Sequence, residues 1–183
     1  MNKALQHLLF QRLQPGVPQQ RANPADAFGK NRVVLGHPGH HQPMPIHLIW
    51  GDDAAARDRA IDGLIQSCVD PSWSSLNLSR LDGAETGQAI QALEEARTPP
   101  FATGERLVLL QRSPFCNGCP SELADRFEAA LELIPNSSHL VLVNPSKPDG
   151  RLRTTKTLQK RIKQGLDLEQ SFPLPTAWDG AGQ

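Results

Sequence analysis

The chain is expected to fold as an α/β domain, a parallel sheet with helices on both faces. Three observations predict this. Short, nearly continuous apolar runs stand at Ile46–Trp50, 107–110 and 140–143, as strands buried on both faces require. Between them, apolar residues recur at i, i+3, i+4 and i+7, the mark of helices with one buried stripe. Strand and helix alternate along the chain, which favours parallel pairing through crossover helices. In such a sheet the crevice at the carboxyl ends of the strands is the default place for a ligand.

The elements follow in order. Residues 1–13 carry Leu5, Leu8, Leu9 and Leu13 at the spacing of a short amphipathic helix. Gln6, His7, Gln11 and Arg12 interrupt any apolar core of a leader, so this is not a signal peptide. Residues 14–43 are rich in Pro, Gln, Gly and His without periodicity and are expected to be disordered. His37, His40 and His41 lie there, but nothing fixes them in a metal-binding geometry. Met44 opens the first foldable segment, and translation is expected to begin there. Residues 1–43 are then a disordered or non-native extension, 44–175 the folded domain and 176–183 a truncated linker.

After the first strand, Asp52 or Asp53 caps a helix carrying Ile61, Leu64, Ile65 and Cys68, and Pro71 ends that unit. Residues 76–81 alternate apolar and polar, as an outer strand would. Ala89, Ile90 and Leu93 mark the next helix. Leu123, Phe127, Leu131 and Ile134 mark a third, with Pro120 near its first turn. Residues 153–163 read as a fourth helix and 166–172 as a last strand.

Composition excludes several classes of function. The 183 residues carry a formal net charge of zero, so bulk electrostatics favour neither nucleic acid nor a membrane surface. No run approaches the roughly 18 apolar residues of a membrane span. Three cysteines, an odd number, fit a reducing, cytoplasmic setting better than a disulfide scaffold.

The turn after the first strand is Gly51-Asp52-Asp53-Ala54-Ala55. It has neither of the glycine-rich phosphate-binding patterns, and its two aspartates repel a triphosphate. The second buried strand leads into Gln111-Arg112, not into an acidic pair that would hold magnesium. Nucleotide binding and hydrolysis are therefore not expected, no cofactor is implied, and no catalytic residue set stands out. His47 and His139 read as core or strand-end histidines. Cys116-Asn117-Gly118-Cys119 is a single C-x-x-C. One pair cannot complete a zinc tetrahedron, Cys68 has no histidine near it in sequence, and no metal site is expected. A thiol-redox role for Cys116 and Cys119 remains as the alternative reading, since a helix starts just beyond them.

Two surface features stand out. Thr98-Pro99-Pro100-Phe101-Ala102-Thr103-Gly104 joins a helix to the second buried strand. Its prolines stop the helix and Gly104 permits the turn, so Phe101 sits on a short, stiff connection. Phe101 either packs into its own core or anchors in another protein's pocket at little ordering cost. Beyond the turn Pro148-Asp149-Gly150, Arg151 precedes a helix with Arg153, Lys156, Lys160 and Lys163 on one stripe and Thr155, Leu158 and Ile162 opposite. That stripe is a solvated face or a contact for DNA phosphates or an acidic partner.

The order of these features resembles the N-terminal domain of the delta subunit of bacterial DNA polymerase III. The resemblance runs from Met44 to Trp178, through Trp50-Gly51-Asp52-Asp53, Thr98-Pro99-Pro100-Phe101, Gly104-Glu105-Arg106 and Lys147-Pro148-Asp149-Gly150-Arg151. The Pro-Pro-Phe form and the C-x-x-C look most like the cyanobacterial branch. The resemblance implies an AAA+-like domain of the sliding-clamp loader without a working phosphate loop. It implies that Pro100 and Phe101 insert into the beta sliding clamp and favour its open form, with proline where some relatives have leucine. It also implies partners in the gamma/tau and delta prime subunits and primed DNA reached through the complex. Relatives carry further lid and collar domains, so the chain reads as a truncated or split subunit.

Overall fold

The computed structural model describes residues 45–174. Five strands form one parallel sheet: β1 (Ile46–Trp50), β2 (Leu78–Asp82), β3 (Arg106–Gln111), β4 (Ser138–Asn144) and β5 (Leu168–Ser171). Their spatial order is β2-β3-β4-β1-β5, and every pairing is parallel. The helices are α1 (Ala54–Cys68), α2 (Ser74–Asn77), α3 (Thr86–Ala96), α4 (Ser121–Leu131) and α5 (Arg153–Lys163), with short 3-10 turns at Pro71–Trp73 and Pro114–Cys116.

Handedness explains which helix covers which face. From β2 to β3, β4 and β5 the chain steps across the sheet in one direction, but from β1 to β2 it steps in the other. Right-handed crossovers therefore put α3, α4 and α5 on one face and α1 on the other. The cores agree. Ile46, Leu48, Val108, Leu110, Leu140 and Leu142 pack against Leu93, Phe127 and Leu158. Ile49, Leu107, Leu109, Val141 and Val143 pack against Ile61 and its neighbours on α1. Side chains of alternate sheet positions thus enter different cores, as the period-2 pleat dictates. Phe115 and Phe127 stack at 4.3 Å between ring centroids within the larger core.

The structure adjusts three expected boundaries. Leu76 and Asn77 end the short helix α2, so the outer strand begins at Leu78. Ile134 is buried but lies beyond α4. The last strand is shorter than expected, starting at Leu168. Asp53, not Asp52, caps α1, its carboxylate accepting from the Ala56 N–H at 2.9 Å. The extension at 1–43, Met44 and the linker at 176–183 lie outside the described residues.

Candidate functional site

The loop 98–104 sits at the amino end of β3 and is pinned from several directions. Asn77, fully buried, brackets Phe101. Its Oδ1 accepts from the Phe101 N–H at 2.7 Å, and its Nδ2 donates to the Phe101 carbonyl at 2.9 Å. One side chain thus satisfies both backbone groups that a projecting loop would leave to water. Thr103 Oγ1 donates to Asp70 at 2.7 Å, and Ser138 Oγ donates to the Thr98 carbonyl at 2.9 Å. The Glu105 N–H donates to the Cys68 carbonyl at 2.8 Å. Gly104, at φ 84°, passes so close to Asp70 that an added Cβ would lie 2.8 Å from its nitrogen. Ala102, at φ 56°, holds a left-handed conformation that only Gly adopts freely.

On this frame Phe101 is 53% exposed, while Pro100 is partly buried. The Phe101 ring meets Trp73 edge to face, centroids 5.0 Å apart, so one side is supported and the other open to water. Leu76, beside Asn77 in sequence, is also exposed, at 50%. Sequence reasoning misses Trp73, Leu76 and Asn77, because 76–77 look like strand. The signal that marks them is Asp70-Pro71, which starts a new turn: Asp70 accepts from the Ser72 N–H at 2.9 Å.

The opposite rim of the sheet is closed. The Gly51 N–H donates to the Asn144 carbonyl, the Asp53 N–H donates to the Phe172 carbonyl at 3.0 Å, and the Ala56 N–H is taken by Asp53. These are amides of the turn and first helical residues that would otherwise face a phosphate. Phe172 lies so close that a Cβ on Gly51 would stand 2.2 Å from its carbonyl oxygen. Beyond β3, Arg112 is ion-paired with Asp82, which holds that carboxyl below its usual range, so a cation stands near the rim where a magnesium-binding acid would be needed.

The basic stripe is partly neutralised. Arg151 pairs with Asp149 at 2.8 Å, and Arg153 pairs with Asp125 and Glu128 on α4. Lys156, Lys160 and Lys163 are exposed, and no carboxylate within ion-pair distance of them is found among the described residues. Thr155 and Leu158 are buried and Ile162 partly so, as the opposite-face reading requires.

The C-x-x-C lacks the electrostatics of a reactive pair. Cys116 is fully buried, and desolvation pushes its thiol up to about 12. Burial also raises Cys119. Reactive thiols need the opposite shift.

The fold brings together residues that the sequence keeps apart. His139 Nε2 lies 2.7 Å from Glu105 Oε2, and His139 Nδ1 lies 3.1 Å from His47 Nε2. Burial opposes charge on His139, but hydrogen bonds to Cys68 and Glu105 override it and hold the imidazole up at about 9. Burial, then the neighbouring His139 charge, pushes His47 down to about 3. The two shifts run in opposite directions, so charge on the pair is favoured at His139, beside Glu105, and disfavoured at the buried His47.

No curated protein sequence matches the chain. Among solved structures, the fold is similar to the Bacillus subtilis DNA clamp loader delta protein (YqeN), with a TM-score of 0.62 and 23% identity. That match covers 74% of this chain and 40% of the other, so this chain spans well under half of that relative's length. Residues 47–164, more than half of the chain, match the family described as DNA polymerase III, delta subunit, and the chain belongs to that family.

Proposed function

We propose that this chain is a non-catalytic, AAA+-like clamp-loader subunit that binds the beta sliding clamp through Phe101, with Pro100 beside it, and favours the opened ring. The observation that carries the reading is the half-exposed Phe101 ring on a loop that Asn77 fixes at both backbone groups. An aromatic side chain held ready, supported on one side and bare on the other, loses little entropy on entering a pocket. Its exposed half offers about 1–1.5 kcal/mol of transfer free energy, or roughly tenfold in affinity.

Ring opening follows from differential binding. A surface that prefers the open ring shifts the population toward it by the ratio of the two affinities. Nucleotide on the gamma/tau subunits then controls when this surface is free, and delta prime completes the assembly. The closed rim at Gly51 supports a subunit that takes no nucleotide itself. The lysines Lys156, Lys160 and Lys163, with Arg151 and Arg153 held by acids beside them, form the face nearest in character to a phosphate contact with primed DNA. The raised thiols of Cys116 and Cys119 count against the thiol-redox alternative. Work in the cytoplasm follows from this role, and no helix among the described residues is long and apolar enough to cross a membrane.

Capture of the full chain on immobilised clamp tests the reading. The wild type is retained without ATP and Phe101→Ala is largely removed by the wash. Equal retention of both would remove Phe101 from the interface.

A further inference from the structure

Three donors of different chemistry meet behind the docking loop. Cys68 Sγ, a Glu105 carboxylate oxygen and a His139 ring nitrogen all lie within 4.8 Å of one another. They come from three elements: the last residue of α1, the residue before β3 and the second residue of β4. All three residues are partly buried, the His139 side chain at 12% exposure and that of Glu105 at 35%. We propose that Cys68, Glu105 and His139 form a binding site for a zinc-class divalent ion, with a fourth position open to water.

The donor set selects the metal. One thiolate, one imidazole and one carboxylate suit Zn2+ and its first-row neighbours, whereas Mg2+ and Ca2+ prefer oxygen alone. The second sphere is already built. His139 Nδ1 faces His47 Nε2 at 3.1 Å, so His139 can present Nε2 to a metal while its other N–H stays bonded. Glu105 Oε2 lies 2.7 Å from His139 Nε2. A metal bound by both at about 2.0–2.1 Å would hold them roughly 3.3 Å apart. Binding thus requires only a small opening. Any proton held on His139 Nε2 or on Cys68 Sγ passes to solvent as the metal takes the lone pair there.

The site lies where a bound ion would stiffen the docking loop. The Glu105 N–H already donates to the Cys68 carbonyl, and Glu105 directly follows Gly104, the end of the loop. An ion would lock the end of α1 to the starts of β3 and β4 at that point. None of the three donors belongs to the loop 98–104, so the site stands or falls separately from clamp binding by Phe101.

The test uses Co2+ and Zn2+ on the full, metal-stripped chain. Co2+ is expected to give thiolate charge-transfer absorption with intense tetrahedral d–d bands, displaced by one equivalent of Zn2+. Cys68→Ser should abolish the charge-transfer band and weaken Zn2+ binding by more than about 100-fold, beyond the cost of losing an outer-sphere partner. Cys119→Ser and a His37/His40/His41→Asn variant should leave both unchanged. Should Cys68→Ser fail to fold, Zn2+ protection of Cys68 from alkylation in the wild type, read by peptide mass, replaces it. A band that survives Cys68→Ser, a band that disappears in Cys119→Ser, or no protection of Cys68 would overturn the site and leave a proton-bridged cluster only.

Discussion

At the carboxyl rim of the sheet, the chain closes upon itself. Gly51, Asp53 and the first turn of α1 direct their amides to Asn144, Phe172 and an internal cap. At the amino rim, the loop 98–104 uses its hydrogen bonds to push a side chain outward. Asn77 takes the backbone of Phe101 and leaves the ring 53% exposed. Open α/β sheets ordinarily bind ligands at the carboxyl rim. Here the same architecture holds its exposed aromatic side chain at the other rim. A fold supplies two rims, and local hydrogen bonding decides which is available.

Substitutions at the two rims separate these roles. The largest effect belongs to Gly51→Ala. A methyl group there would meet the Phe172 carbonyl at 2.2 Å, with the backbone at φ 137°. Urea unfolding should show a loss of about 3 kcal/mol or more; a near-neutral result would mean the rim is not sealed by Phe172. Asn77→Ala comes next. It leaves two backbone groups of Phe101 without partners and should cost about 2 kcal/mol in the same measurement. A stability unchanged within about 0.5 kcal/mol would show that the loop is not held by that side chain.

Two smaller effects sharpen the comparison. Replacing Lys156, Lys160 and Lys163 together with Gln should leave clamp affinity within about twofold. If these lysines neutralise phosphates, the salt dependence of primed-DNA binding should flatten by about 0.9 in slope for each phosphate left without its lysine. An unchanged slope would make the stripe a solvated face. Native Cys116 should resist alkylation at pH 8. A thiol pushed up to about 12 is ionised in roughly one molecule in ten thousand there, and the side chain is buried. Rapid native labelling of Cys116 would restore the thiol-redox reading.

Much of the fold is legible in the sequence alone. Continuous apolar runs mark β1, β3 and β4, and the turn after Trp50 lacks the glycine pattern of a phosphate-binding loop. Two kinds of information are not local and cannot be read that way. Residues 76–77 alternate like a strand, yet Asp70 and Pro71 start a turn that makes Asn77 the bracket for Phe101, a partner 24 positions away. Likewise Cys68, Glu105 and His139 carry no motif spacing. The parallel register sets His139 beside Leu107 and His47 beside Val141, and the Glu105 N–H bond to the Cys68 carbonyl ties the end of α1 to the start of β3. The burial of Cys116 is equally hidden, because a C-x-x-C reads the same whether its first thiol is in a core or at a surface.

Phe101 is, on this reading, a docking side chain on a fold that does not need it. Titration of the sliding clamp with wild-type chain and with Phe101→Ala, each paired with a urea melt, tests this most directly. The expected result is a loss of about 1 kcal/mol in the melt, from the Trp73 contact, and roughly tenfold weaker clamp binding by a chain that is still folded. Clamp affinity equal for the two proteins would contradict the docking role.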